Sequence, residues 1–405
     1  MKYLCCINLV MIRYDYILKK GDVCDQHTGK EMKNKVLAAV LCVAMTASIF
    51  AGCGAKTEEA PAETQEETTE VDEEEEETEE VAEEGEVNSG TFTTVIDMSS
   101  YETGSVVRLW LPCPQTDEYQ TIENENVELD TAHAISETTT DEHGNKILYV
   151  EWDKEATERT LTYTFDATRK EILCPELAEN SDTPDEAYAE YLEPTSTLPV
   201  DGEVKALADQ IVDGKDTNVK KVRAIYDWVI ANMVRDDEVV GCGLGNVPEL
   251  LTTLKGKCTD INSVFVALCR AAGIPAREYF GIRMSTDPEA DMTSGQHCWA
   301  EFYLEGTGWV AADPADVLKA ILKNEWTKDS AEAKEKQEYF WGNSDALRIS
   351  LSTGRDLILE PAQDGAPLNN FGYPYAEVDG KSINCYAPED FAYSISFKNE
   401  TNQRV

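Results

Sequence analysis

Residues 256–277 read GKCTDINSVFVALCRAAGIPAR. Ile261, Val264, Phe265 and Leu268 recur at the spacing of one helix face, and Gly273 with Pro275 supplies a stop. The pattern predicts a helix that begins at or beside Cys258. There the unpaired N–H groups and the positive end of the helix dipole stabilise an anion. A thiol so placed ionises more readily, and the thiolate is its nucleophilic form. A second reading stands beside this one: Cys258 as a small packing residue, the role expected of Cys269.

The chain has 405 residues, enough for about two domains. Its formal charge of −43 is unevenly spread, because residues 54–90 hold 16 Glu and 1 Asp against 1 Lys. Phosphate binding needs clustered Lys and Arg, so a nucleic-acid function is excluded. Residues 54–90 contain no aromatic side chain and almost no large apolar one, and cannot offset the entropy of ordering. They are expected to form an acidic, disordered tether.

Upstream, Met32-Lys-Asn-Lys gives a basic start and VLAAVLCVAMTASIFAG an apolar run, which ends at Phe50-Ala51-Gly52-Cys53. This resembles a bacterial lipoprotein signal, in which small residues precede a cysteine that takes lipid; Phe50 departs from the usual aliphatic residue. The resemblance implies that residues 1–53 are a leader with its true start at Met32. Cys53 would then be lipidated, and the mature chain membrane-anchored at the cell surface. An uncleaved membrane helix is the other reading of the same stretch and also gives a surface protein. Downstream, Cys113, Cys174, Cys242, Cys258, Cys269, Cys298 and Cys385 show no C-x-x-C pair and no zinc-type spacing, so no metal is expected. Whether any of them pair as disulfides is left open.

From residue 91 to about 195 the pattern is strand-like. VVRLWLP, KILYVEW and TLTYTFDA alternate apolar with polar residues, and His143-Gly144-Asn145 marks a turn. A small all-β domain, a sandwich, is expected there. After the linker EPTSTLPVDGE come helical patterns, with Val222, Ile225, Tyr226 and Val229 on one buried face. Beyond Pro275 strands return in AREYFGIRM, QHCWAEFYLEG and GWVAADPAD, and later in RISLS, RDLILEP and FAYSISF. Residues 196–405 are therefore expected to form an α+β catalytic domain that includes the C-terminal strands. The segments around Arg355-Asp356 and FGYPYAEVDGK are expected to close the sheet rather than rim a cleft.

A thiolate needs a base or imidazolium close by. From Gly90 onward the histidines are His133, His143 and His297, and the first two fall in the β region. His297 opens a strand, and the next strand ends in Asp313-Pro314. Antiparallel neighbours can set Asp313 beside His297 and fix its tautomer.

The blocks GKCTDINSVFVALCRAAGIPAR, QHCWAEFYLEGTGWVAADPAD and YDWVIANMV together resemble the transglutaminase-like superfamily over roughly residues 205–320. That resemblance implies a papain-like α+β core with a helix-borne cysteine packed on an antiparallel sheet. It implies Cys258 as nucleophile, His297 as base and Asp313 as orienter of the imidazole. Trp299, Glu301 and Trp309 match positions that pack the two strands around them. Arg270 and Arg277 are expected to form salt bridges, and Gly256 to allow a tight turn. The Cys258 N–H is one expected oxyanion donor; Asn232 and Trp228 are candidates for the second. The expected activity is hydrolysis of a peptide or protein amide through a thioester, with no cofactor. Acyl transfer to an amine, as in cross-linking transglutaminases, is the alternative, and a non-catalytic binding module is the rival class.

Overall fold

The structure, a computed structural model, describes residues 85–130 and 132–401. The leader, Cys53 and most of the acidic segment lie outside the described residues. Six strands come first: β1 (Val87–Asp97), β2 (Val107–Cys113), β3 (Gln120–Leu129), β4 (Ala134–Thr140), β5 (Lys146–Trp152) and β6 (Thr160–Lys170). Helices α1 (Gly202–Val212) and α2 (Asn218–Asn232) follow, then β7 (Val234–Arg235), α3 (Val247–Thr253), β8 (Lys255–Gly256) and α4 (Cys258–Ala271). Next are β9 (Ala276–Arg283), β10 (Glu289–Asp291), β11 (Gln296–Leu304), β12 (Gly308–Ala312), α5 (Pro314–Lys323) and α6 (Ala331–Tyr339). The chain closes with β13 (Trp341–Gly342), β14 (Arg348–Thr353), β15 (Tyr375–Val378), β16 (Lys381–Ser382) and β17 (Ala392–Asn399). Among the described residues no helix is long and apolar enough to cross a membrane.

The α+β class holds. Helix α4 packs against a sheet of order β13-β12-β11-β9-β14, in which all neighbours are antiparallel. The expected amphipathic face of α4 is only half of its burial. All residues from Cys258 to Cys269 are buried, the polar Thr259, Asp260, Asn262 and Ser263 included. A helix buried all round must satisfy its polar side chains internally. Asn262 Nδ2 donates to Cys298 O at 2.8 Å, and Ser263 Oγ to Glu278 Oε1 at 2.7 Å. These bonds fix the helix on the sheet.

The other two main sheets, β10-β17-β1-β6-β3 and β16-β15-β2-β5-β4, face each other across one core as a sandwich. The expected division at residue 195 needs correction. The strand from RISLS, β14, does join the catalytic sheet, but β15, β16 and β17 join the sandwich: β17 pairs with β1 from Gly90↔Asn399 to Asp97↔Ala392, and β15 pairs with β2. The reason is packing, because Ile395 and Phe397 fill the same core as Phe92 and Phe165. The Phe92 and Phe397 rings stand 4.7 Å apart. Gly90 sits at this seam because a Cβ there would come within 2.3 Å of Lys398 O. Strand β1 also begins four residues before the expected domain start. Of the late strand patterns, RISLS and FAYSISF form strands, whereas RDLILEP makes only an isolated bridge, Leu357↔Leu368.

The two layers share side chains. Ile282, Met284 and Ile349 leave the catalytic sheet to enter the sandwich core. All described residues accordingly fall in one compact unit. Phe397→Ala is expected to cost about 3–5 kcal/mol of stability, the usual range for emptying a buried aromatic site. Urea denaturation measures it, and an unchanged midpoint would remove β17 from the core.

Candidate active site

Cys258 is the first residue of α4, as its sequence position predicts. Asp260, two residues on, accepts from Lys257 N at 3.0 Å and Gly245 N at 2.9 Å, tying the helix start to the preceding loop. Gly256 serves this arrangement by close approach and not by a special turn: a Cβ there would come within 2.3 Å of Asp260 Cβ. The Thr259 N–H is taken by Cys242 O at 2.9 Å. The Cys258 N–H has no acceptor among the described residues.

His297 and Asp313 lie on or beside the neighbouring strands β11 and β12. His297 Nε2 meets Asp313 Oδ2 at 2.7 Å, with both side chains buried. That contact leaves Nδ1 as the ring nitrogen available to the sulfur. Asp313 does two jobs, since its Oδ1 also accepts from Asp316 N at 3.0 Å and caps α5. Pro314 follows it at the first helical position, where a missing N–H costs nothing.

Behind the pair sits a charge cluster that the sequence did not announce. Arg348 is fully buried and donates to Asp313 Oδ2 at 2.7 Å, Asp316 Oδ2 at 3.1 Å and Asp345 Oδ2 at 2.7 Å. Arg283 pairs with Asp316 from the other side. Burial and the Arg283 charge push the His297 imidazole down, but Asp316 and Asp313 outweigh them, and its net shift is upward from 6.5. Asp316 itself is held far below the carboxylate range, the Arg283, His297 and Arg348 charges overcoming its burial.

Two further thiols surround the nucleophile. The sulfurs of Cys242, Cys258 and Cys298 all lie within 4.8 Å of one another, and all three residues are buried. Hydrogen bonds from Cys242 and then Cys298 hold the Cys258 thiol well below its usual 9.0, against its burial, with His297 adding to the effect. Cys242 moves up in exchange, chiefly because its proton is kept on the bond to Cys258. Tyr373 donates its hydroxyl to Cys242 Sγ at 3.2 Å. The FGYPYAEVDGK segment therefore does both things weighed for it: Tyr373 lines the cleft, and β15 closes a sandwich sheet. All seven described cysteines are free.

The remaining expected residues separate. Trp299 is buried with its ring 6.1 Å from that of His297, and Arg348 lies over it at 5.5 Å. Glu301 and Trp309 stand apart from the chemistry: Glu301 pairs with Arg277 at 2.7 Å, and Arg277 stacks on Trp309 at 3.9 Å. Arg270 forms no salt bridge among the described residues and donates to Ala276 O and Glu193 O instead. Asn232 and Trp228 do not line the cleft over Cys258. Asn232 Nδ2 bonds back to Trp228 O at 2.8 Å, because both residues lie one turn apart at the end of α2. Gln296 does reach the cleft, and both of its buried amide atoms lack a partner among the described residues.

Arg348→Met would leave three carboxylates facing one another around Asp313. The expected loss is about 3–5 kcal/mol, the scale for removing one partner of a buried ion cluster. Urea unfolding reads it, and a loss below 1 kcal/mol would mean that water already compensates these charges.

The sequence model of the transglutaminase-like superfamily matches residues 205–314, which span α4, His297 and Asp313. A Haemophilus influenzae protein described as uncharacterized is 41% identical over 317 residues, covering 72% of this chain and 85% of that protein. The uncharacterized protein YebA of Bacillus subtilis is 29% identical over 161 residues, covering 35% of this chain and 21% of YebA. A solved structure described as a candidate cysteine protease of Cytophaga hutchinsonii is 19% identical with a TM-score of 0.48, covering 78% of this chain and 99% of that one. With the cysteine, histidine and aspartate brought together on the matched segment, the chain belongs to the transglutaminase-like superfamily and has its cysteine-dependent hydrolase or acyltransferase fold.

Proposed function

We propose that the protein is a cysteine-dependent amide hydrolase, a peptidase or amidase that works through a thioester on Cys258. The observation behind this reading is the buried pair His297–Asp313 at 2.7 Å, set against a thiol already biased towards its anion. The Cys258 thiolate attacks the amide carbonyl carbon. The tetrahedral oxyanion takes hydrogen bonds from the free Cys258 N–H and from Gln296, whose amide lines the cleft without a partner among the described residues. His297 gives its proton to the leaving nitrogen, the C–N bond breaks and the thioester remains. Neutral His297 then takes a proton from water, whose oxygen attacks the thioester. The C–S bond breaks, the acid leaves, and the thiolate and imidazolium are restored. Asp313 is a positioning residue throughout.

Water is favoured over an amine as acceptor on electrostatic grounds. The cleft of about 420 Å³ over Cys258 is lined by Arg235, Lys257, Arg283 and Lys319. Such a wall repels a protonated lysine-type acceptor and leaves water unaffected. The lipoprotein-like leader and acidic spacer support action at the membrane surface, on a cell-wall or surface-protein amide. A binding module without catalysis would have no use for an aligned thiol, imidazole and carboxylate.

Iodoacetamide at neutral pH is expected to label Cys258 far faster than buried Cys269, and His297→Ala to remove that advantage. Equal rates would favour the binding module. Gln296→Ala should lower kcat by about 10²–10³, the usual weight of one oxyanion donor, with intact Cys258 labelling. Mass spectrometry of peptide products with and without added alkylamine separates the two activities; product that appears only with amine reverses the assignment to hydrolysis.

The pH profile of kcat/KM should be a bell. Its acid limb lies below the ordinary thiol value because Cys258 is lowered, and its alkaline limb above 6.5 because His297 is raised. Asp316→Asn removes a charge that raises His297 and leaves Arg283, which lowers it. The alkaline limb should therefore move to lower pH, and an upward move would contradict the charge assignment.

A further inference from the structure

The chain carries a formal −43, yet no Asp or Glu is found among the described residues lining the cleft over Cys258. Four basic side chains line it instead. Two of them are spent on structure: Arg235 pairs with Asp237 at 2.8 Å and Arg283 with Asp316. Lys257 and Lys319 have no carboxylate within ion-pair distance among the described residues, and both are only partly exposed. Burial and then the Arg283 charge push the Lys319 ammonium downward, and Asp316 and the Cys258 thiolate offset this only in part. The same cleft is lined by the aromatic side chains of Tyr373, Tyr386 and Tyr393. Surplus cations sharing one cleft with aromatic rings, inside a strongly acidic protein, mark a surface shaped for a ligand and not for folding.

We infer that the acyl donor is anionic: a peptide or peptide-like amide with carboxylates flanking the scissile bond, held by Lys257 and Lys319, its apolar part against the tyrosine wall. The cleavage rests on the hydrolytic reading above; the charge preference of the cleft does not. Lys257 precedes the nucleophile directly, so a carboxylate on it lies next to the reacting carbonyl. Lys319, on α5, reaches the cleft from the side of Asp313 and serves a carboxylate further along the chain. The arrangement also explains how an acidic protein takes an acidic substrate: the local field at the cleft opposes the field of the whole molecule.

The test uses three peptides of one sequence that carry Glu, Gln or Lys on both sides of the cleaved amide. With the full chain at low salt, kcat/KM should fall from Glu to Gln by about fivefold per carboxylate, the upper range for a partly exposed ion pair, and further to Lys. Raising the ionic strength should narrow the Glu–Gln gap. Lys319→Gln should raise KM for the Glu peptide with little change in kcat, and Lys319→Arg should restore it. Equal kcat/KM for the three peptides, or a preference for Lys, overturns the inference while leaving hydrolysis intact. Binding to Cys258→Ala, followed by calorimetry, separates the two readings. Tighter, salt-sensitive binding of the Glu peptide supports the charge preference even if no peptide is cleaved, and equal binding of all three refutes it.

Discussion

The site depends on one buried guanidinium. Arg348 has lost its water entirely, and only carboxylates at hydrogen-bond distance make that tolerable. Asp313, Asp316 and Asp345 converge on it from two segments of chain, and Asp313 also holds His297. With the imidazole protonated, Arg348, Arg283 and His297 balance the three acids. With it neutral, the cluster is left with one negative charge too many. The upward shift of His297 follows from this balance, and so does the imidazolium that the thiolate needs as partner. The arginine thus holds Asp313 and Asp316 in place, and those two carboxylates raise the imidazole.

The thiolate has its own support. Cys242 arrives from the loop before α3 and Cys298 from β11, and both give hydrogen bonds to Cys258. Together with the helix start and the imidazole, four separate elements favour the anion at one sulfur. Each is anchored elsewhere: Cys242 by Tyr373, and Cys298 by Thr259 at 3.1 Å, while the strand carrying Cys298 is held to the helix by Asn262. The nucleophile is therefore positioned by packing on every side rather than by its helix alone.

What could be read from the sequence was local. Helix α4, its stop at Gly273-Ile274-Pro275, and the strands bearing His297 and Asp313 follow from periodicity and punctuation over short windows. The resemblance of three blocks joined them into one site. What stayed hidden was long-range. Arg348 opens an ordinary strand pattern, and nothing near it in sequence shows that its partners lie in ADPAD. Cys242 and Cys298 have no motif spacing, because the fold and not a loop brings them to Cys258. Gln296 stands out only in the fold, where its amide is buried at the cleft without a partner among the described residues. Asn232 failed as a donor for a local reason, since a side chain at the end of a helix readily bonds back one turn. The assignment of β17 to the catalytic domain failed because alternation shows that a segment is a strand and never which sheet it enters.

The seam between β1 and β17 has a consequence for biogenesis. Among the described strands β1 is made first and β17 last, yet the two are neighbours, so one edge of β1 stays unpaired until β17 has been made. Helical contacts around Cys258 form from neighbouring segments and have no such delay. During that interval the bare edge of β1 is open to mispairing with another strand. Pairing of β17 with β1 therefore locks the sandwich only after the segments that surround Cys258 have all been made.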